Sequence, residues 1–376
     1  MTYDVHYPSL YELKTKAQAR LPKFVWEYLN SGTGQEHTTR LNRTALDQIK
    51  LMPSVLHGEH TVDLKTVFLG KQYDLPFGIA PIGMSGLIWA NAEQTLARHA
   101  VSTNIPYTLS TVACQDPESL GPHIGQNGWF QLYPPRDPQI RTDMLNRVRN
   151  AGFHTLVLTV DLPVASRRER QTKSGITQPP VLTPRLMAQI LCKPSWALSM
   201  ARQGRPTMPF VASYGNAQKG LPPTEHIGYL LRTSPDWDYV KWLREHWQGP
   251  LIIKGVLDAE PIEQFEKIGV DALWVSNHAG RQFDAAPSSI DQLIAYRSAT
   301  DLPLIVDSGF ETGLDILRAY ALGANFVMMG APWHYALAAL GDKGPAHFAR
   351  ILELDLKANL GQIGCANVHD TKSRLI

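Results

Sequence analysis

The chain has 376 residues, of which 44% are hydrophobic and 19% charged, and a formal net charge of +2. That length is long for one core, although barrels with insertions commonly reach it, and the near-neutral charge gives no global case for a nucleic-acid partner. The three cysteines, Cys114, Cys192 and Cys365, are far apart and lack metal-ligand spacing. No disulfide framework or cysteine metal site is therefore expected, and a reducing cytoplasm fits.

The first residues show no basic stretch leading into an apolar run, so no signal peptide is expected. Leu75–Ala92 comes nearest to a membrane span, but Pro76, Gly78, Pro81, Gly83, Ser85 and Gly86 break it into a strand and a loop. Residues 1–54 read as a helical segment. Tyr11–Ala19 and Pro22–Leu29 carry apolar residues at helical spacing, and Gly32 and Gly34 stop the second run.

From residue 76 onward short apolar runs alternate with longer amphipathic ones. Strands are expected over Pro76–Ala80, Tyr107–Leu109, Trp129–Leu132, Thr155–Thr159, Leu251–Lys254, Ala272–Val275, Leu304–Val306 and Phe326–Met329. Helices are expected over Gln139–Ala151, Ala259–Ile268, Ser289–Thr300 and Leu314–Leu322. Such alternation implies parallel βαβ units with right-handed crossovers. Eight units predict an α/β fold, a closed (β/α)8 TIM barrel over residues 55–376 in a single domain. No Gly-x-Gly-x-x-Gly follows a strand, which weighs against a doubly wound sheet. A proline-rich insertion, 175–228, separates the fourth and fifth strands and holds apolar patches at Leu186–Leu191 and Trp196–Met200. From Arg167 to Arg205 there are eight basic residues and one acid, Glu169. This is a lid over the active site or, on the sharper reading, a surface that touches anionic lipid.

In parallel barrels catalytic groups sit at the C-terminal ends of the strands, which turns the strand list into a site list. Gln131 and Tyr133 end the third strand. Asp161, Arg168 and Arg170 follow the fourth, and Lys254 ends the fifth. Ser276-Asn-His-Ala-Gly-Arg-Gln follows the sixth and Asp307 the seventh. His278 and Asp161 suit a base and its orienting acid, because a carboxylate fixes the tautomer and stabilises the ring once it takes a proton. Arg281 and Arg168 suit a carboxylate substrate, since a guanidinium offers two parallel donors; surface ion pairing is the alternative. Lys254 ends an apolar strand and is costly to bury without an anionic partner. A reduced flavin would be one such partner, and a Schiff base is the competing use of the lysine.

The longest motif, Ser276-Asn-His-Ala-Gly-Arg-Gln-Phe-Asp284, is close to S-N-H-G-G-R-Q-L-D. With Leu21–Tyr28, Ile79–Met84, Phe130–Tyr133, Leu158–Asp161, Arg167–Glu169 and Ile253–Gly255, it resembles the FMN-dependent L-2-hydroxy acid oxidase and dehydrogenase family over nearly the whole chain. That family includes glycolate oxidase and the L-lactate and mandelate dehydrogenases. The resemblance implies that His278 is the catalytic base with Asp161 behind it. Arg281 and Tyr28 would clamp the substrate carboxylate, with Arg168 as a second cation and Tyr133 bonded to the substrate. Lys254 would face N1 and O2 of FMN. Ala80, Pro81, Ser110, Gln131 and Thr159 would contact its ring and ribityl chain, with Ser276, Asp307, Gly309 and Gly330 also on the cofactor side. Implied partners are a 2-hydroxy acid and an acceptor (oxygen, a quinone or another), in a homotetramer that is cytoplasmic or peripheral at the inner membrane surface.

The departures carry information too. Where the resemblance has D-G-G-x-R-x-G the chain reads Asp307-Ser-Gly-Phe-Glu311-Thr-Gly313, and where it has G-R the chain has Gly330-Ala331. Both arginines expected on the FMN phosphate are absent. At about 1.5–3 kcal/mol per charge-assisted bond, their loss amounts to about 10²–10⁴ in affinity. Backbone N–H groups around Gly309 and Gly330, cations from the insertion, or His334 would have to hold the phosphate, so weak or atypical flavin occupancy is expected. Val112 and Ala165 stand where glycolate oxidase has tryptophan and leucine, which implies a substrate larger than glycolate. Gly83 replaces an alanine of many oxidases and leaves the acceptor open. Two other functions remain: a barrel lyase using Lys254, and a non-catalytic binding relative, which Glu311 and Ala331 suggest.

Overall fold

A computed structural model describes residues 2–175, 183–215, 231 and 233–376. The expected insertion is thus described in part, and its residues 176–182 and 216–228 lie outside the described residues. A short antiparallel hairpin, β1 (Thr66–Phe68) and β2 (Lys71–Tyr73), precedes the barrel. The barrel strands are β3 (Phe77–Ile79), β4 (Tyr107–Ser110), β5 (Gly128–Leu132), β6 (Thr155–Thr159), β7 (Leu251–Val256), β8 (Ala272–Val275), β9 (Leu304–Val306) and β10 (Phe326–Met329). All neighbours pair in parallel and β10 closes on β3, giving the expected TIM barrel.

Alternation along each strand sorts side chains into two sets. Leu156, Leu158, Ile253 and Leu273 face outward and join the core shared with the helices. Trp129, Val157, Ile252, Trp274, Ile305 and Met328 form a separate inner cluster. The hairpin completes that cluster from the N-terminal end. Phe68 packs 5.2 Å from Phe326 by ring centroid, and Trp129 Nε1 donates to the Tyr73 hydroxyl. The bottom of the barrel is therefore apolar and filled, and the polar end is the other one.

The N-terminal segment does more than precede the barrel. Its helices Leu10–Arg20 and Lys23–Asn30 match expectation, and a further helix, His37–Gln48, lies against the loop after β8. Asn42 and Asn277 exchange amide hydrogen bonds of 2.9 and 2.6 Å. Thr39 Oγ1 donates to the Ala279 carbonyl, and Thr33 N–H donates to that of Gly280. In the insertion the two apolar patches are helices, Pro184–Leu191 and Pro194–Gln203. Trp196 anchors the second by donating to the Leu87 carbonyl and packing edge-on against Phe24.

Candidate active site

Inner-face parity determines which polar groups converge. Two residues beyond the inner apolar layer, the same face continues as Gln131, Thr159, Lys254, Ser276 and Asp307, all buried. On this face Ser110 Oγ donates to Gln131 Oε1 at 3.0 Å, and Lys254 Nζ donates to Ser276 Oγ at 2.9 Å. Lys254 also lies 3.5 Å from Asp307 and 3.9 Å from Asp161. Its approach to Asp161 depends on an irregularity in β7. The register shifts between Lys254 and Val256, and Gly255 takes a φ of +97°. A β carbon there would lie 2.5 Å from Cβ of Asp161, so no larger residue fits.

His278 and Asp161 meet as the strand-end rule expected. Nδ1 is 3.0 and 3.1 Å from the two carboxylate oxygens. A carboxylate only accepts, so Nδ1 carries the proton, and no protein group among the described residues bonds Nε2. Burial pushes the His278 imidazole below the ordinary 6.5; Asp161 opposes this, while Lys254 and Arg168 reinforce it. Burial alone would raise the Asp161 carboxyl, but His278 and Lys254 outweigh it and hold it below the usual range. At neutral pH this arrangement is an ionised carboxylate behind a neutral imidazole.

Arg281 and Arg168 stand nearby without a carboxylate partner among the described residues. Arg281 donates to the carbonyls of Tyr28 and Leu29, lies 5.7 Å over the Tyr28 ring, and is pushed down to about 10 by burial and by Arg168. Arg168 has a left-handed backbone, φ +44°, and its Nε donates to Ser166. Burial raises the Tyr133 hydroxyl, as does Asp161, while Arg168 and Arg281 lower it, so these groups lie within electrostatic reach of one another. Tyr28 donates its proton to the Gly83 carbonyl at 2.8 Å. A carboxylate substrate contacts that hydroxyl only if the proton is re-aimed. Arg170 is committed elsewhere, to Glu27 and Glu36. Three cations, Lys254, Arg168 and Arg281, thus face two carboxylates, Asp161 and Asp307. The excess positive charge suits an anionic ligand.

The profile of FMN-dependent dehydrogenases matches residues 17–376. The chain belongs to that family. It is 36% identical over 371 residues to an L-lactate dehydrogenase of Pectobacterium atrosepticum, covering 96% of this chain and 95% of the relative. An L-lactate dehydrogenase of Stenotrophomonas maltophilia is 36% identical over 365 residues, with 96% of each chain covered. A solved structure of a monotopic membrane protein, (S)-mandelate dehydrogenase, superposes with a TM-score of 0.93 at 31% identity over 98% of both chains. A mandelate oxidase superposes with a TM-score of 0.84 at 29% identity, again over 98% of both chains. The protein is an FMN-dependent 2-hydroxy acid oxidoreductase.

The inner face fits a flavin ring. Gln131 Nε2 and Thr159 Oγ1 are buried without a protein partner among the described residues. An unpaired buried polar atom costs about 1–3 kcal/mol, and the carbonyls and ring nitrogens of a flavin would satisfy both. The other end differs. Phosphate sites in such barrels form in the loops after the last two strands, here β9 and β10. Glu311 lies there 3.6 Å from Lys14, Arg43 is paired with Asp315 and Asp47, and Ala331 opens the helix Ala331–Leu340. His334, one of the alternatives for the phosphate, does not present a cation there. It is buried between Ser85 and the Gly330 carbonyl, and burial lowers it to about 4, so it is neutral. The residues present therefore fit the ring and give the phosphate no arginine at either expected position. Apoprotein titrated with FMN and with riboflavin should bind both within about tenfold of each other. Glu311→Arg should tighten FMN alone. A thousandfold preference for FMN in the unaltered chain would contradict this account of the phosphate end.

Proposed function

We propose that this enzyme oxidises an L-2-hydroxy acid larger than glycolate, with His278 as the base and Arg281 and Arg168 as the carboxylate clamp. The reading is carried by Nε2 of His278, whose Nδ1 is held by Asp161, and by two nearby guanidiniums; among the described residues Nε2 has no protein partner and the guanidiniums have no carboxylate partner. The guanidiniums and the Tyr133 hydroxyl hold the acid so that its C2 faces Nε2. Nε2 takes one proton, from C2 or from the C2 hydroxyl, and Asp161 stabilises the resulting imidazolium. FMN, when bound, would supply the acceptor for the two electrons and the second proton that the substrate loses. Lys254 places positive charge where the reduced ring gains negative charge. Two carboxylates flank the buried Lys254, the opposite of the cation-neighboured or apolar setting that activates a Schiff-base lysine, so the lyase reading has no support here.

The small side chains of Val112 and Ala165, where glycolate oxidase has tryptophan and leucine, support a larger substrate. Val112 packs where a β carbon on Gly83 would come within 2.6 Å of it, and the Tyr28 hydroxyl borders the same space. Ala165 is exposed. Anaerobic reduction of bound FMN tests substrate and base together. Branched, longer or aromatic L-2-hydroxy acids should outpace glycolate, and His278→Asn should slow reduction by about 10²–10⁴ while retaining FMN. Because burial lowers the His278 pKa, the neutral base persists into acid, and kcat/KM should fall only below 6.5. Glycolate as the best substrate, or an unimpaired His278→Asn, would refute the reading.

The helical insertion supports a peripheral membrane contact. Met187, Leu191 and Leu198 are 52%, 77% and 55% exposed. Arg185, Lys193 and Arg202 lie on or between the same two helices. No helix among the described residues is long and apolar enough to cross a membrane. Cosedimentation should show binding to phosphatidylglycerol vesicles that weakens with salt and with Leu191→Asp. Equal recovery with phosphatidylcholine vesicles would exclude an electrostatic contact.

A further inference from the structure

The turn that carries His278 is strained. His278, Ala279 and Gly280 have φ values of +54°, +54° and +73°, and only glycine adopts that region freely. Hydrogen bonds hold the turn from two sides. On one side is the N-terminal segment, through Thr39 and Thr33. On the other are two serine hydroxyls. Ser276 Oγ accepts the His278 N–H at 3.0 Å, and Ser308 Oγ accepts the Ala279 N–H at 3.0 Å. Ser308 is itself left-handed, at φ +80°, and buried. Its one hydroxyl proton goes to Asp307 Oδ1 at 2.8 Å, and Asp307 Oδ2 lies 3.5 Å from Lys254 Nζ. A side chain that strains its own backbone thus spends its hydroxyl on both the histidine turn and the carboxylate facing the lysine.

We propose that Ser308 is a positioning residue for the oxidation, joining the His278 turn to the Asp307–Lys254 pair through one hydroxyl. Without that hydroxyl the Ala279 N–H loses its protein partner in a part-buried turn, and the imidazole loses one of the bonds that fix its direction. Asp307 Oδ1 also loses its donor, so more of its negative charge bears on Lys254. The environment of the flavin ring becomes less positive, and bound FMN becomes harder to reduce.

The proposal rests on His278 being the base, so one of its two readouts is independent of turnover. Ser308→Ala removes the hydroxyl, and Ser308→Gly removes it together with the backbone strain. FMN-loaded forms of both are compared with the unaltered holoenzyme. The expected result is a kcat per bound FMN about ten- to a hundredfold lower with KM within twofold. The flavin midpoint potential, measured with dithionite and a reference dye, should move to a more negative value. A purely structural serine would change the melting temperature and leave kcat and the potential as they were, and that result overturns the proposal. Were His278 not the base, its own Asn variant would show it, while the potential would still report on Ser308.

Discussion

One carboxylate organises this site. Asp161 accepts a hydrogen bond from His278 Nδ1 and lies 3.9 Å from the Lys254 ammonium, with Lys254 buried and His278 part-buried. Desolvation works against every one of these charges. Asp161 remains ionised because two groups share it, and the imidazole is held in the one tautomer that leaves Nε2 available. Remove the carboxylate, and a buried ammonium and an unoriented ring remain.

The rest of the molecule serves that arrangement at increasing distance. The bulge at Gly255 lets Lys254 and Asp161 approach each other. The apolar inner layer and the Phe68–Tyr73 plug fill the barrel below the site, so ligands have only the polar end to enter. Above it, the reciprocal amide pair of Asn42 and Asn277 ties the N-terminal segment to the histidine loop. The segment before the barrel is therefore part of the active-site wall. The phosphate end follows a different logic. With Glu311 paired to Lys14, the charge that favours an anion is concentrated at the ring and substrate, away from the cofactor tail.

The sequence made the barrel legible because each strand is a short apolar run bounded by breakers. It did not reveal the hairpin, whose Lys71-Gln72-Tyr73 strand is mostly polar. The helix His37–Gln48 falls inside the segment 1–54 read as helical, but no separate run marked its bounds, since it is poor in apolar residues and follows Glu36, a left-handed residue with no capping side chain. The same divide runs through the site. His278, Asp161, Lys254 and the two arginines could be found because the ends of parallel strands are where chemistry gathers. Ser308, Thr39 and Asn42 could not. They are small polar residues in loops and helices, and their bonds to the histidine turn join segments up to 240 residues apart, so no local pattern marks them. The failure of His334 as a cation was likewise invisible, since burial alone keeps it neutral.

Catalysis by His278 depends on the protonation state of its ring. ¹⁵N NMR of the resting holoenzyme with labelled histidine, assigned by comparison with His278→Asn, reads it directly. At neutral pH the His278 signals should show a protonated Nδ1 and an unprotonated Nε2. A proton on Nε2, whether as the other tautomer or as the imidazolium, would leave no base facing the substrate and would contradict the mechanism.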